Sequence, residues 1–236
     1  MAKGKKKQVY TTEKVLDSLN ETAYKAENFF ERNSKIIFAV FGGLAIVAIG
    51  YFVYLKTVLE PKSEKAFTEM IQADDYMKKD SVLLALKGSP GSFMGYEQIV
   101  DNYKGTKGGE LALYKAGVAY YKLGDYASAV SNLEKFKTED NVLNAMRNGL
   151  IGDALVESGK QDDALSYYVK AAEGTDLEVL ETQFYTKAGK LAVVNGKNAD
   201  ALKYFQKLAD KYPNAGGGEV NKFIERLKYA TGGNGE

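Results

Sequence analysis

Three pairs of adjacent carboxylates, Asp74-Asp75, Glu139-Asp140 and Asp162-Asp163, are the residues best suited to acid–base or metal chemistry. Neighbours in sequence point in different directions along a helix, so no pair converges on one proton or one ion. Each reads as an ordinary solvated helix or turn position. The glycine run at 216–218 lacks the Lys-Ser/Thr of a phosphate-cradling loop, and no strand leads into it. Serine with a lysine base is open by composition, but no motif supports it. The chain has no cysteine and no histidine. Thiolate nucleophiles, disulfides, imidazole bases, Ser-His-Asp triads and histidine-ligated zinc therefore cannot be built. The expectation is a protein that is not an enzyme and has no cofactor and no metal. A net charge of +1 makes no case for nucleic acid.

What remains is binding, and the elements that would present it. The strongest signal is "IIFAVFGGLAIVAIGYFVYL", Ile36 to Leu55, 20 residues without a charge. At about 1.5 Å per residue it spans roughly 30 Å, the thickness of bilayer hydrocarbon. It starts too far into the chain, and is too long, for a cleaved signal peptide, so it reads as an uncleaved signal anchor. Eight basic residues precede it, diluted by five acidic ones, against Lys56, Lys62 and Lys65 just beyond. The positive-inside rule puts 1–35 in the cytoplasm and everything after about Pro61 outside it. Val15, Leu19, Ala23, Ala26 and Phe30 recur at helical spacing, with Thr11 or Thr12 as a start cap, so 9–34 reads as an amphipathic juxtamembrane helix. Lys3 to Lys7 would favour anionic lipid.

Beyond a spacer at 56–62 the chain repeats itself. "AGVAYYKLGDYASAVSNLEKF" (116–136), "IGDALVESGKQDDALSYYVKA" (151–171) and "AGKLAVVNGKNADALKYFQKL" (188–208) align in register. Each has a glycine (117, 152, 189), a second glycine seven residues on (124, 159, 196), then alanine (129, 164, 201) and a large apolar residue (133, 168, 205). The first glycine lets two helices pack closely. The second ends the first helix in the left-handed region. The alanine and the large residue lie on one face of the second helix. A period near 34 with these residues resembles the tetratricopeptide repeat, a helix-turn-helix unit that stacks into a solenoid.

The fold class expected is therefore all-α: one N-terminal transmembrane helix, then a tetratricopeptide-repeat solenoid with a C-terminal capping helix. The boundaries are 1–35 cytoplasmic, 36–55 anchor, 56–62 spacer, 63–109 a degenerate leading repeat with "KGSPGS" as its loop, 110–144, 145–181 and 182–215 three repeats, and 216–236 cap and tail. Phe223, Leu227 and Ala230 are expected to face the last repeat, and "GGNGE" to fray.

A solenoid of this kind presents the first helix of each repeat along its concave side. The candidate partner contacts are Leu111, Tyr114, Val118 and Tyr121, then Met146, Asp153 and Val156 with Gly149 between them, then Gln183 and Lys190 with Thr186 and Val193. Clamps for a C-terminal carboxylate need Lys and Asn at inward positions that here hold Tyr114 and Val118, then Gly149 and Asp153. The groove reads as apolar and aromatic with few charges, suited to an extended apolar chain or a partner helix. Tyr120 is expected in the core and Tyr121 on the concave side.

The whole architecture, over about residues 30–230, resembles the YfgM-like ancillary subunit of the bacterial Sec translocon. "ALKGSPGSF", "LYKAGVAYYKLGDYASAV" and "IGDALVESGKQDDAL" look like the Bacteroidota version. The resemblance implies a single-pass inner-membrane protein with a periplasmic domain. It implies association with translocon subunits and periplasmic chaperones, and contact with unfolded client chains. It carries no catalytic residues. The alternative from the residues alone is a scaffold for division, cell-wall synthesis or outer-membrane secretion.

Overall fold

The computed structural model describes the backbone of residues 3–214 and 218–230. Side chains are described from Val15 onward, apart from Leu16, Asn20, Ala26, Asn28 and Phe29. The tail expected at 232–236, the basic side chains of Lys3 to Lys7 and the side chain of Ala26 lie outside the described residues. The chain divides into two units, Met1–Leu59 and Glu60–Glu236.

The first unit is helix α1, Lys3–Tyr54, followed by a π-helical turn, Leu55–Leu59. No cap forms at Thr11 or Thr12, because the helix begins at Lys3 and passes through both. The lysines and glutamine before them are good helix formers, so nothing in the sequence stops the helix there. One stretch of it is long and apolar enough to cross a membrane, with a mean hydropathy of 2.5 over its best window and none of that window buried in the protein. Phe38, Ile46 and Val47 stand fully outward.

The second unit is a succession of packed helices. The expected spacer is helical: the π turn ends at Leu59 and α2, Glu60–Lys78, begins next. Pro61 sits in the first turn of α2, where a missing N–H costs nothing. The leading repeat pairs α2 with a second helix broken in two, α3 (Val82–Lys87) and α4 (Tyr96–Asn102). A two-residue antiparallel hairpin, β1 (Gly88–Ser89) and β2 (Phe93–Met94), separates the halves. Phe93 leaves this hairpin to stack on Tyr76 of α2, ring centroids 4.8 Å apart. Three regular pairs follow: α5 (Lys107–Lys122) with α6 (Tyr126–Lys135), α7 (Asn141–Glu157) with α8 (Gln161–Glu173), and α9 (Glu178–Val194) with α10 (Asn198–Lys211). Helix α11, Glu219–Ala230, covers the end.

The register read from the glycines is the register of the fold. Gly124, Gly159 and Gly196 turn the chain at φ of 78°, 75° and 71°, a conformation that strains any residue with a Cβ. Gly117, Gly152 and Gly189 each receive the large side chain of the following helix. A Cβ there would stand 2.6 Å from Leu133, 2.7 Å from Tyr168 and 2.6 Å from Phe205, respectively. Helices α6 and α7 start on aspartate caps, Asp125 accepting from the Ser128 N–H and Asp140 from the Leu143 N–H. In α11 the buried side chains are Val220, Ile224 and Leu227, with Phe223 stacked on Phe205 at 4.8 Å. Ala230 is exposed rather than packed, and Val220 and Ile224 complete the buried face with Leu227.

Candidate protein-interaction groove

The expected contacts lie on the first helices α5, α7 and α9, in unequal surroundings. Leu111 is half-buried and lines a groove with Phe67 of α2, Phe136 after α6 and Leu143 of α7. Tyr114 and Val118 come together around a smaller hollow with Met77 and Tyr96. The Tyr114 ring lies 5.4 Å from that of Phe136, and burial pushes its phenol above the usual range. Met146 is 39% exposed, and Gln183 is exposed. Val156 is half-buried against the core that runs from Leu133 to Leu227. Gly149, expected on the inward face between Met146 and Asp153, is buried under the ring of Phe184. Thr186 and Val193 are half-buried.

Tyr120 and Tyr121 are both half-buried. Tyr120 packs with the leading core and its hydroxyl donates to Glu97. Burial first, and then that bond, hold its phenol up at about 12. The Tyr121 ring lies 5.7 Å from Tyr126, and burial and then the nearby Asp153 raise its phenol.

Asp153 and Lys190, read as free groove residues, are tied into the fold. Asp153 accepts from the Tyr168 hydroxyl at 2.6 Å and from Lys187 Nζ at 2.7 Å, joining α7, α8 and α9. Lys190 pairs with Glu219 at 3.2 Å and lies over the Phe223 ring. The same arrangement recurs in the leading repeat. Asp74 accepts from Tyr96 at 2.7 Å and from Lys115 at 2.5 Å, joining α2, α4 and α5. In both cases the aspartate follows the small packing residue (Ala73 or Gly152), and the lysine stands two residues before the packing glycine of a later first helix (Gly117 or Gly189). These charges lie on the first-helix side but are neutralised within the protein.

Large apolar side chains also stand exposed on the first helices. Phe67 is 41% exposed and Ile71 58%, both on α2, and Val142 on α7 is 37% exposed. None of these three was picked out by the repeat register. Phe67 and Ile71 lie in the leading repeat, where the hairpin insertion hides the alignment. Val142 precedes the first aligned position of its helix. Among the described residues no group of acids, histidines or cysteines is placed to hold a metal.

The phenols of the two latches set a pH limit on the domain. Burial, and then the bond and charge of the aspartate, push the phenols of Tyr96 and Tyr168 far above their usual range. A raised phenol stabilises the fold fully below the unfolded pKa, near 10, and loses that contribution as pH climbs toward the folded one. An alkaline absorbance titration should therefore show two tyrosines ionising well after the exposed ones, together with loss of helical circular dichroism. All tyrosines titrating as one class near pH 10 would contradict the latch geometry.

The tetratricopeptide repeat family matches residues 111–140 and 185–215, the first and third regular helix pairs. The pair between them, α7–α8, has the same glycine-to-ring packing through Gly152 and Tyr168. No curated protein matches the chain.

Proposed function

We propose that this tetratricopeptide-repeat protein is a membrane-anchored interaction subunit that works beside the bacterial Sec translocon, binding a partner or an emerging client chain through its repeat domain. Domains of these repeats generally bind protein partners. One observation carries the reading toward an apolar ligand: Phe67 and Ile71 of α2 and Val142 and Met146 of α7 stand exposed, while Asp74, Lys115, Asp153, Lys187 and Lys190 of the first helices are already ion-paired. A surface of this kind favours an uncharged, apolar polypeptide segment over a charged one.

The uncharged stretch from Ile36 to Leu55 supports an anchor, and the basic residues before it support a cytoplasmic N-terminus with the repeats in the periplasm. The translocon and its chaperones enter through the resemblance of the architecture alone. No catalysis is assigned, since the best-placed carboxylates are held by lysine and phenol.

Affinity purification of the full chain from gently solubilised membranes tests this. Translocon channel subunits should be enriched over an unrelated single-pass control. No enrichment of them sinks the translocon assignment. Enrichment of a division, cell-wall or outer-membrane secretion complex instead would move the domain to that machine.

A further inference from the structure

The middle helix pair departs from its neighbours at one place. The repeat family matches the pairs on either side and passes over α7–α8. Aligned on the packing glycines, α7 carries Arg147 and Asn148 where α5 carries Ala112 and Leu113 and α9 carries Phe184 and Tyr185. Asn148 is buried, and Arg147 and Asn144 are half-buried. Polar groups at a packing position cost stability unless they are fully bonded.

These are only partly bonded. Arg147 donates from Nη1 to the Phe136 carbonyl at 3.1 Å and from Nη2 to Asn148 Oδ1 at 3.0 Å. Its Nε and the Asn144 Oδ1 are buried without a partner. Both acceptors of Arg147 are neutral, and it has no ion pair among the described residues. Holding the end of α6 by the Phe136 carbonyl needs one donor and no guanidinium fork.

The three side chains line a cleft of about 600 Å³ where α6, α7 and α8 meet. Glu134, Tyr167, Lys170 and Glu173 complete its wall. Lys170 lies over the Tyr167 ring at 4.7 Å and also has no ion pair among the described residues. Glu173 is neutralised by Lys207 at 3.0 Å, and Glu134 accepts from the Tyr167 hydroxyl at 2.8 Å. The two cations of the cleft therefore face a single unneutralised acid.

We infer that this cleft binds one carboxylate of a polypeptide, with Arg147 and Lys170 as its cationic contacts and Asn144 accepting from an amide N–H of the ligand. A guanidinium meets a carboxylate through parallel bonds and is held ready for them here by Phe136 and Asn148. The small excess of positive charge, with Glu134 in the wall, suits a single carboxylate better than phosphate or a polyanion. The cleft shares no residue with the groove of Phe67, Leu111, Phe136 and Leu143 or with the inward positions Tyr114, Val118, Gly149 and Asp153. It adds a charged contact to the apolar one and does not rest on the translocon assignment.

The carboxylate can come from a chain end or from an acidic side chain, and peptide probes separate the two. The chain has three arginines, so isotope labelling of arginine in the full chain in nanodiscs gives three Nε–H signals. Arg32→Lys and Arg226→Lys, both at exposed positions, assign the other two. The probes are a short acetylated alanine peptide with a free C-terminus, its amide with a central glutamate, and the plain amide. At least one carboxylate probe should shift the Arg147 signal saturably, and the plain amide should not. The probe that acts identifies the source. Lys170→Gln, at an exposed position, should weaken that probe about two- to fivefold with an unchanged melting temperature. No saturable shift from either carboxylate, an equal shift from the plain amide, or full affinity in Lys170→Gln would overturn the inference, whatever the purification shows.

Discussion

Gly189→Val lowers the melting temperature of the repeat domain by roughly 6–12 °C, taking about 3 kcal/mol for overpacking and 2–4 °C per kcal/mol in a domain of this size. The reason is local. A Cβ at this position would lie 2.6 Å from Phe205 Cζ, and Phe205 is fully buried. The ring has no room to retreat, because its other face stacks on Phe223 of α11 with the planes only 6° apart. Either α9 and α10 separate or the capping helix lifts. Both expose the last repeat, and neighbour contacts are what hold a solenoid together. Gly43→Val is the matched control, since nothing lies within 4 Å of the Cβ it would add. Melting followed by circular dichroism separates the two. An unchanged melting temperature for Gly189→Val would mean that the α9–α10 packing described above is wrong.

Leu44→Arg combined with Val47→Arg releases the chain from the membrane. Each arginine at the centre of a membrane helix costs about 2.5–3.5 kcal/mol by insertion scales, and each replaced aliphatic gives up a further few tenths. Roughly 6–8 kcal/mol is thus removed from a 20-residue span, and among the described residues no second helix is long and apolar enough to cross a membrane. Leu44 is 61% exposed and Val47 70% in the protein, so the substitutions should leave the repeat fold alone. Alkaline extraction of membranes is the measurement. The parent chain should stay in the pellet and the double variant should leave it. Retention of the variant would show that this helix is not the anchor.

The helix pairs were legible because glycine is irreplaceable at two points of each repeat. Gly124, Gly159 and Gly196 hold a left-handed turn, and Gly117, Gly152 and Gly189 lie under a side chain. Those demands are written into the residue type itself. What reaches across the repeats was not. Asp153 occupies a position that faces the groove by periodicity, yet Tyr168, fifteen residues later, and Lys187, in the next repeat, claim its oxygens. Gly149 falls among the inward positions because periodicity gives a direction but not an occupant, and Phe184 fills the space. In the leading repeat the β1–β2 hairpin displaces Tyr96 from the aligned spacing, so its kinship with Tyr168 appears only once both are seen on their aspartates. Phe67, Ile71 and Val142 went unread for another reason: Phe67 and Ile71 belong to the leading repeat, whose register the hairpin interrupts, and the exposure of Val142 follows from tertiary packing.

The central claim is that the first-helix side of the repeats holds an apolar segment of a partner or client at the translocon. Site-specific photocrosslinking in intact cells tests it most directly, with the photoreactive residue placed at Met146, at Phe67, or at the exposed Lys203 of α10 as the outward control. The account predicts adducts from Met146 and Phe67 that contain a translocon subunit, its chaperones or an exported chain, and none of these from Lys203. No such adducts from Met146 and Phe67, or equal adducts from Lys203, would contradict it.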